Sequence, residues 1–178
     1  MEEIQVKDKT FKVFIPEKVI LQHVCEVASR LSADYEGKNP LFLVVLNGSF
    51  MFAADLVRAM TIPCEISFVK LSSYAGTTST GTVNEVIGIN TDLKGRNVVI
   101  VEDIVESGRT LDSMKEMLSQ YNPLSVKICT LFFKPQKLVV PLDVDYAAME
   151  IGDEFIVGYG LDYDQAGRCL RDVYVISE

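Results

Sequence analysis

The chain has 178 residues, 48% of them hydrophobic, and a formal net charge of −8. This length and composition predict one globular domain with a sizeable core, and the acidic excess argues against nucleic-acid binding, which depends on Lys and Arg. No apolar run reaches the roughly 20 residues that span a bilayer, and the acidic start differs from a signal peptide, so we expect a cytoplasmic protein without a membrane partner.

The first part of the chain alternates short apolar runs with turn residues. Residues 4–6 and 11–13 predict a small hairpin, and Pro16 opens a helix with apolar residues at helical spacing. The continuous apolar run 41–46 predicts a strand buried on both faces, as in a parallel sheet. A small polar loop, Asn47-Gly48-Ser49, then leads into a second helix. Such a loop offers backbone N–H groups to an anion, although a plain turn between strand and helix is the commoner case.

A third predicted strand, 64–71, is followed by the small polar residues 72–82. A long loop inside a compact domain is usually functional or disordered, so this one is either a functional loop or a mobile linker. Residues 86–90 then predict a strand that returns toward the core.

The stretch 97–111 carries the clearest functional pattern. Its first residues, 97–101, are mostly β-branched and predict a buried strand that ends at Val101. Two adjacent acids, Glu102 and Asp103, follow at the expected end of this strand. The small polar loop 106–110 comes next and runs into a helix with apolar residues at helical spacing.

This order of elements suits a sugar phosphate. Small residues at a helix start present backbone N–H groups and two hydroxyls, those of Ser107 and Thr110, to a phosphate group. The paired carboxylates can accept hydrogen bonds from ribose hydroxyls and hold a magnesium ion nearby. The alternative is an ordinary turn with a solvated acidic pair, and the apolar strand directly before the acids argues against it.

The last part of the chain differs in character. A strand is predicted over 125–133, and Lys134 follows its last residue. Residues 138–178 are rich in Asp, Gly and aromatic side chains and contain only short apolar runs. We therefore expect a single domain, with a small hood over a core of about residues 16–137, and the N-terminal segment is a further candidate for the hood.

Two motifs resemble those of a known family. The strand, acid pair and loop over 97–110 resemble the phosphoribosyl-pyrophosphate-binding signature of the phosphoribosyltransferases. Residues 155–163 resemble the C-terminal signature of the hypoxanthine-guanine members, and the resemblance covers most of the chain from Leu41 to Arg168. It implies an α/β fold, in which a mostly parallel, twisted sheet is flanked by helices and carries a small C-terminal hood.

The resemblance also implies an activity in purine salvage. Such an enzyme transfers the 5-phosphoribosyl group from phosphoribosyl pyrophosphate to a 6-oxopurine and releases pyrophosphate, with Mg²⁺ as cofactor. We expect hypoxanthine to be preferred and guanine to be accepted, and we expect a homodimer or homotetramer, as in relatives. The alternative is a regulator of the same fold that binds nucleotide or phosphoribosyl pyrophosphate without catalysis.

Site residues are carried over from the resemblance position by position. Contacts to ribose and 5′-phosphate are assigned to Glu102, Asp103, Glu106, Ser107, Gly108, Arg109 and Thr110. Contacts to pyrophosphate are assigned to Asn47, Gly48 and Arg168, and contacts to the purine to Lys134, Phe155, Ile156 and Asp162. Magnesium is assigned to Glu102 and Asp103, with a second ion on Asp162. The assigned catalytic residues are Glu106 and, in a lid formed by the loop 72–82, Ser73 and Tyr74.

Two positions depart from the family pattern. Glu106 stands where the family has an Asp that acts as general base toward the purine, so its carboxylate is one methylene farther from the backbone. Because such a base contributes roughly 100- to 10,000-fold, we expect reduced but real activity. Asn47 stands where many relatives have Lys, which leaves pyrophosphate contact to the backbone. In those relatives a non-proline cis peptide bond precedes this position, and we expect one between Leu46 and Asn47.

The same two departures bear on the choice between enzyme and regulator. A regulator has no need of a correctly placed base, so Glu106 and Asn47 favour it. The retained purine, metal and lid residues favour the enzyme, because a regulator need not keep all three groups together.

Overall fold

The computed structural model of the chain describes residues 3–72 and 84–177. In chain order, the elements are β1 (Glu3–Val6), β2 (Lys9–Ile15), α1 (Glu17–Asp34), β3 (Leu41–Leu46), α2 (Phe50–Ala59), β4 (Glu65–Ser72), β5 (Asn84–Ile87), β6 (Asn97–Val105), α3 (Arg109–Ser119), β7 (Ser125–Phe133), a short 3-10 helix (Pro135–Lys137), β8 (Tyr146–Glu150), β9 (Ile156–Val157) and β10 (Val173–Ile176). None of the helices in these two ranges is long and apolar enough to cross a membrane.

The main sheet has the strand order β5-β4-β3-β6-β7-β8. Five of its strands are parallel, namely β3, β4, β6, β7 and β8, and β5 is antiparallel to β4. The predicted α/β fold with a mostly parallel sheet is thereby confirmed. The continuous apolar runs of β3, β6 and β7 lie at the centre, because strands covered on both faces need apolar side chains on both.

Helices cover both faces of this sheet. Along β3, Phe42 and Val44 point toward α1 and α2, whereas Leu41 and Leu43 point to the opposite face, which α3 covers. Successive strand residues point to opposite faces, so each apolar run contributes to two separate cores. This arrangement fixes the position of every loop at the carboxyl ends of the strands.

A second, antiparallel sheet forms the hood, with the strand order β1-β2-β10-β9. The N-terminal hairpin was predicted as a candidate for the hood, and it provides half of these strands. The predicted boundary at residue 138 is wrong for Tyr146–Glu150, which pair with β7 as the edge strand of the main sheet. An edge strand has only one paired neighbour and is partly open to solvent, so its sequence lacks the continuous apolar run by which we recognised the central strands.

The strand β6 also differs from its prediction. It was expected to end at Val101 but continues to Val105, and Glu102 and Asp103 lie inside it. Its pairing with β3 stops at Val101, while its pairing with β7 continues to Val105. Both carboxylates are tolerated in the strand because β3 and β6 have already separated there, leaving a crevice between them.

Candidate active site

The crevice lies at the carboxyl ends of the parallel strands, where ligands of open α/β sheets bind. Three loops meet there, because β3, β6 and β7 are neighbours in the sheet and point the same way. They begin at Asn47, Glu106 and Lys134, and each position was predicted as part of the site.

The loop after β6 leads directly into α3. Gly108 precedes the first helical residue and has φ +78°, a conformation that costs glycine little. A Cβ atom at Gly108 would lie 2.9 Å from Leu138 Cδ2, and the Val139 N–H donates to the Ser107 carbonyl at 3.1 Å. The segment 138–142, which was predicted to be part of the hood, therefore supports the loop from behind.

The same loop borders a cavity of about 250 Å³. Its lining residues are Glu102, Ile104, Val105, Glu106, Ser107, Gly108, Thr110 and Leu111. Most of the predicted ribose and phosphate residues are thus brought together, whereas Arg109 is exposed and Asp103 turns toward the loop after β3. The apolar lining residues, Ile104 among them, were not predicted, because in the sequence they have the pattern of ordinary strand positions.

The acid pair carries crowded negative charge. Glu102 Oε1 accepts a hydrogen bond from the Asp103 N–H at 3.1 Å, and Asp103 Oδ1 accepts one from the Ile104 N–H at 2.8 Å. Burial raises the pKa of Glu102 well above its ordinary value, and the charge of Asp103 raises it further. Burial also raises the pKa of Asp103, against the opposing effects of its hydrogen bonds and of the positive charge of Arg168. A cation or a set of hydroxyl donors would relieve this crowding.

The loop after β3 packs closely against Asp103. The peptide bond between Leu46 and Asn47 is cis, as predicted. A Cβ atom at Gly48 would lie 1.5 Å from Asp103 Oδ2, and one at Gly160 would lie 2.1 Å from the Gly48 carbonyl oxygen. Backbone from the hood and backbone from the sheet therefore meet at two glycines, beside a buried carboxylate.

Arg168 and Asp162 lie on the hood side of this contact. Arg168 donates to the Gly160 carbonyl at 2.9 Å and forms an ion pair with Asp162 Oδ1 at 2.8 Å. The other Asp162 carboxylate oxygen accepts the Gln165 N–H at 2.8 Å. Glu102 and Asp103, predicted to share one magnesium ion, are adjacent in the crevice, whereas Asp162, predicted to bind a second ion, pairs with Arg168 on the hood side. Among residues 3–72 and 84–177, no three Asp, Glu, His or Cys side chains form a group that could hold a metal ion.

Lys134 lies at the end of β7 and is almost completely buried. Its Nζ is 2.5 Å from Glu106 Oε1 and donates to the Glu154 carbonyl at 2.9 Å. Of the other predicted purine residues, Phe155 has 47% of its surface exposed, and Ile156 is buried in β9. The ring of Phe155 contacts the edge-on ring of Tyr163, with 5.8 Å between centroids.

Ser73 and Tyr74, the predicted lid residues, lie outside the residues that the structure describes.

Comparison with known proteins decides the family. The model of the phosphoribosyl transferase domain matches residues 16–164. The hypoxanthine-guanine phosphoribosyltransferase of Streptococcus agalactiae is 43% identical over 94% of this chain and 93% of its own. The chain belongs to the phosphoribosyltransferase family, among the hypoxanthine-guanine enzymes.

Solved structures of this family agree with the fold. A hypoxanthine-guanine phosphoribosyltransferase from Bacillus anthracis has a TM-score of 0.88 and 38% identity, over 92% of this chain and 97% of that one. A hypoxanthine phosphoribosyltransferase from Trypanosoma cruzi has a TM-score of 0.89 and 37% identity, over 97% of this chain and 94% of that one. These relatives are enzymes, so they support the catalytic interpretation and give no support to the regulator.

Proposed function

We propose that this phosphoribosyltransferase transfers the 5-phosphoribosyl group from phosphoribosyl pyrophosphate to a 6-oxopurine, with hypoxanthine preferred and guanine accepted. One observation carries the proposal. The acid pair, the loop that borders the 250 Å³ cavity and the buried Lys134 all lie along the ends of two adjacent strands, β6 and β7. A sugar phosphate and a purine joined to it need these groups side by side.

The ribose 5-phosphate fits the cavity at the start of α3. Its phosphate would accept hydrogen bonds from backbone N–H groups and hydroxyls of residues 107–110, at the positive end of the helix dipole. Its ribose hydroxyls would donate to Glu102 and Asp103, whose raised pKa values reflect crowded charge that such donors offset. The apolar surface of Ile104 lies in the same cavity.

The acid pair also fits a magnesium ion. Magnesium takes oxygen ligands and usually binds through one or two carboxylates together with substrate phosphates and water, and Glu102 and Asp103 are two such carboxylates in one crevice. When bound, the ion would neutralise charge on the pyrophosphate leaving group. Arg168 and the backbone at Asn47 and Gly48 would contact the same group, beside Asp103.

The purine would lie between the sheet and the hood. Lys134 would donate to the oxygen at position 6, and Phe155 would stack on the ring through its exposed face. The Ile156 backbone would contact the edge of the base, and Asp162 would lie nearby. Adenine is excluded, because its 6-amino group is a donor and would face the Lys134 donor.

Glu106 is the proposed general base. As the purine ring nitrogen forms its bond to the anomeric carbon, the bond from that carbon to pyrophosphate breaks and pyrophosphate leaves with the electron pair. The Glu106 carboxylate takes the proton that the purine ring loses, so that the nucleotide forms with an uncharged base. Positive charge that develops on the ribose lies near the carboxylates of Glu102 and Asp103.

A homodimer or homotetramer in the cytoplasm is part of the proposal. Two large apolar side chains on β4, Ile66 and Phe68, are 42% and 43% exposed, which supports coverage by a second copy. Light scattering coupled to size-exclusion chromatography tests this, and a mass of one chain at micromolar concentration would contradict it.

The activity is tested by pyrophosphate release with phosphoribosyl pyrophosphate and magnesium, with hypoxanthine, guanine, xanthine and adenine in parallel. We expect turnover with hypoxanthine and guanine and none with adenine. Tight binding of phosphoribosyl pyrophosphate without turnover of any base would instead identify a regulator.

A further inference from the structure

The ion pair between Lys134 and Glu106 joins the residue that recognises the purine to the residue that takes its proton. It forms because of strand register. Val105 of β6 pairs with Phe133 of β7, and the Lys134 N–H donates to the Val105 carbonyl at 2.9 Å. The next residue on each strand is Glu106 and Lys134, so their side chains leave the sheet as direct neighbours.

The two side chains differ in how firmly they are held. The Lys134 side chain is 5% exposed, and the Glu154 carbonyl fixes its Nζ at 2.9 Å. The Glu106 side chain is 53% exposed and follows the last residue of its strand. A half-exposed carboxylate is therefore held in position by a buried ammonium group 2.5 Å away.

An ammonium group has three N–H donors. Within the described residues, one of them points to Glu154 and another to Glu106, so the third can serve the oxygen of a 6-oxopurine. Binding of the base and holding of Glu106 can therefore occur together. Removal of one methylene at position 106 would draw the carboxylate back by about 1.5 Å, beyond the reach of a hydrogen bond to Lys134.

We propose that Lys134 is a positioning residue for Glu106 as well as a purine contact, and that the length of glutamate is what allows this pairing. The inference rests on the proposed function for its catalytic meaning. The carboxylate is useful as a base only while Lys134 holds it at the purine side of the cavity. The extra methylene is thus used to reach a fixed partner, and the base is not misplaced by its length.

A double-mutant cycle on kcat at saturating hypoxanthine tests the inference. We expect Glu106→Gln to lower kcat about 100-fold and Lys134→Met about 10-fold, and the double variant to be no slower than Glu106→Gln alone. A Lys134 that only binds the base would raise KM and leave kcat unchanged. Independent effects would multiply to about 1,000-fold, and either of these results would overturn the inference.

A second experiment changes the length of the side chain at position 106 and begins with the buried lysine intact. Glu106→Asp keeps a carboxylate but breaks the pair, so kcat should fall about 10-fold, and addition of Lys134→Met should then change kcat by less than about twofold. Full kcat in Glu106→Asp, with undiminished sensitivity to Lys134→Met, would contradict the role of side-chain length. Lys137→Met is the matched control, since it removes the neighbouring Lys137–Asp153 ion pair and should leave kcat unchanged.

Urea unfolding separates failure of this inference from failure of the proposed function. If the wild-type protein turns over no purine, the proposed activity is wrong. A double-mutant cycle on the urea midpoint of the same variants still shows whether the ion pair between Lys134 and Glu106 forms. We expect the shift in urea midpoint caused by Lys134→Met to be about halved in the Glu106→Gln background. Equal shifts in urea midpoint in both backgrounds would show that the ion pair between Lys134 and Glu106 does not form.

Discussion

The two sides of the site are built in different ways. On the sheet side, candidate site residues follow buried strand positions, such as Val101 and Val105, and their register is fixed by pairing with neighbouring strands. On the hood side, the chain between 158 and 167 follows no repeating conformation. Positive φ angles occur at Gly158, Tyr159, Gly160, Asp164, Gln165 and Gly167.

The hood side is held by local backbone hydrogen bonds, such as those between Tyr163 and Ala166, and by long-range side-chain contacts. The Tyr159 hydroxyl donates to Asp55 of α2 at 2.6 Å, and the Tyr163 hydroxyl donates to Asp8 of the N-terminal hairpin at 2.9 Å. Each of these bonds joins residues more than a hundred positions apart in the chain. This loop is therefore positioned by its own turns and by side-chain contacts, whereas a residue on a central strand is positioned by pairing with neighbouring strands.

This difference explains where charge is crowded. The like-charged pair Glu102 and Asp103 lies on the sheet side, where the core supplies the free energy that holds two carboxylates together. The pair Asp162 and Arg168 on the hood side has opposite charges and is satisfied without a substrate. Substrate binding therefore has most to gain on the sheet side, and changes there should have the larger effects.

The largest effect is expected for Gly48→Ala. Its Cβ atom would lie 1.5 Å from Asp103 Oδ2, so either the loop or the carboxylate must move, and we expect kcat/KM to fall at least about 100-fold. Gly95→Ala is the control, because its Cβ would meet nothing within 4 Å and its φ of +69° imposes backbone strain alone. It should lower stability without lowering activity. A Gly48→Ala variant with more than a third of wild-type activity would show that the sheet side can accommodate the added methyl group.

On the sheet side, Glu102→Gln should raise stability and lower activity. Because burial and the Asp103 charge raise the pKa of Glu102, its stabilising contribution is present at low pH and is lost as pH rises through that raised pKa. The amide carries no charge, so at pH 7 we expect the variant to gain about 1 kcal/mol, or roughly 2–4 °C in Tm, and to lose activity about 10- to 100-fold.

Thermal unfolding without ligand, at pH 7 and at pH 4, measures whether Glu102→Gln raises or lowers the Tm. The gain should become small at pH 4, which is below the ordinary glutamate pKa of 4.5, because Glu102 is then mostly protonated in both the folded and the unfolded state. A lower Tm at pH 7 would mean that Glu102 is a stabilising residue and that its charge is not crowded.

Tyr163→Phe, on the hood side, should have the smallest effect of these three substitutions. It removes the hydroxyl that bonds Asp8 but keeps the ring beside Phe155. Loss of one hydrogen bond costs about 0.5–1.5 kcal/mol of stability. Because the ring beside Phe155 stays in place, we expect KM for hypoxanthine to rise by no more than about threefold, with kcat unchanged. Tyr121→Phe, at an exposed tyrosine after α3, is the matched control. A Tyr163→Phe variant that lost as much activity as Gly48→Ala would remove the distinction between the two sides.

Much of the sheet side could be predicted from the sequence. The limits of β3 and β7 agree with their continuous apolar runs, since a strand buried on both faces leaves a pattern that does not depend on its neighbours. The loop at Ser107 and Gly108 could be recognised because phosphate binding at a helix start needs small residues in consecutive positions. The end of β6 could not, because its length depends on β7 continuing beside it after β3 has turned away.

The family, the parallel sheet and most of the candidate site residues could be predicted from the sequence, because each depends on residue types over short stretches. Three contacts could be learned only from the folded chain: segment 138–142 supports the loop at Ser107, Gly160 meets Gly48, and Lys134 holds Glu106. These contacts join parts of the chain that are distant in sequence, and no local pattern records them. They follow from strand order and register, which are settled only when the whole sheet and both of its cores pack together.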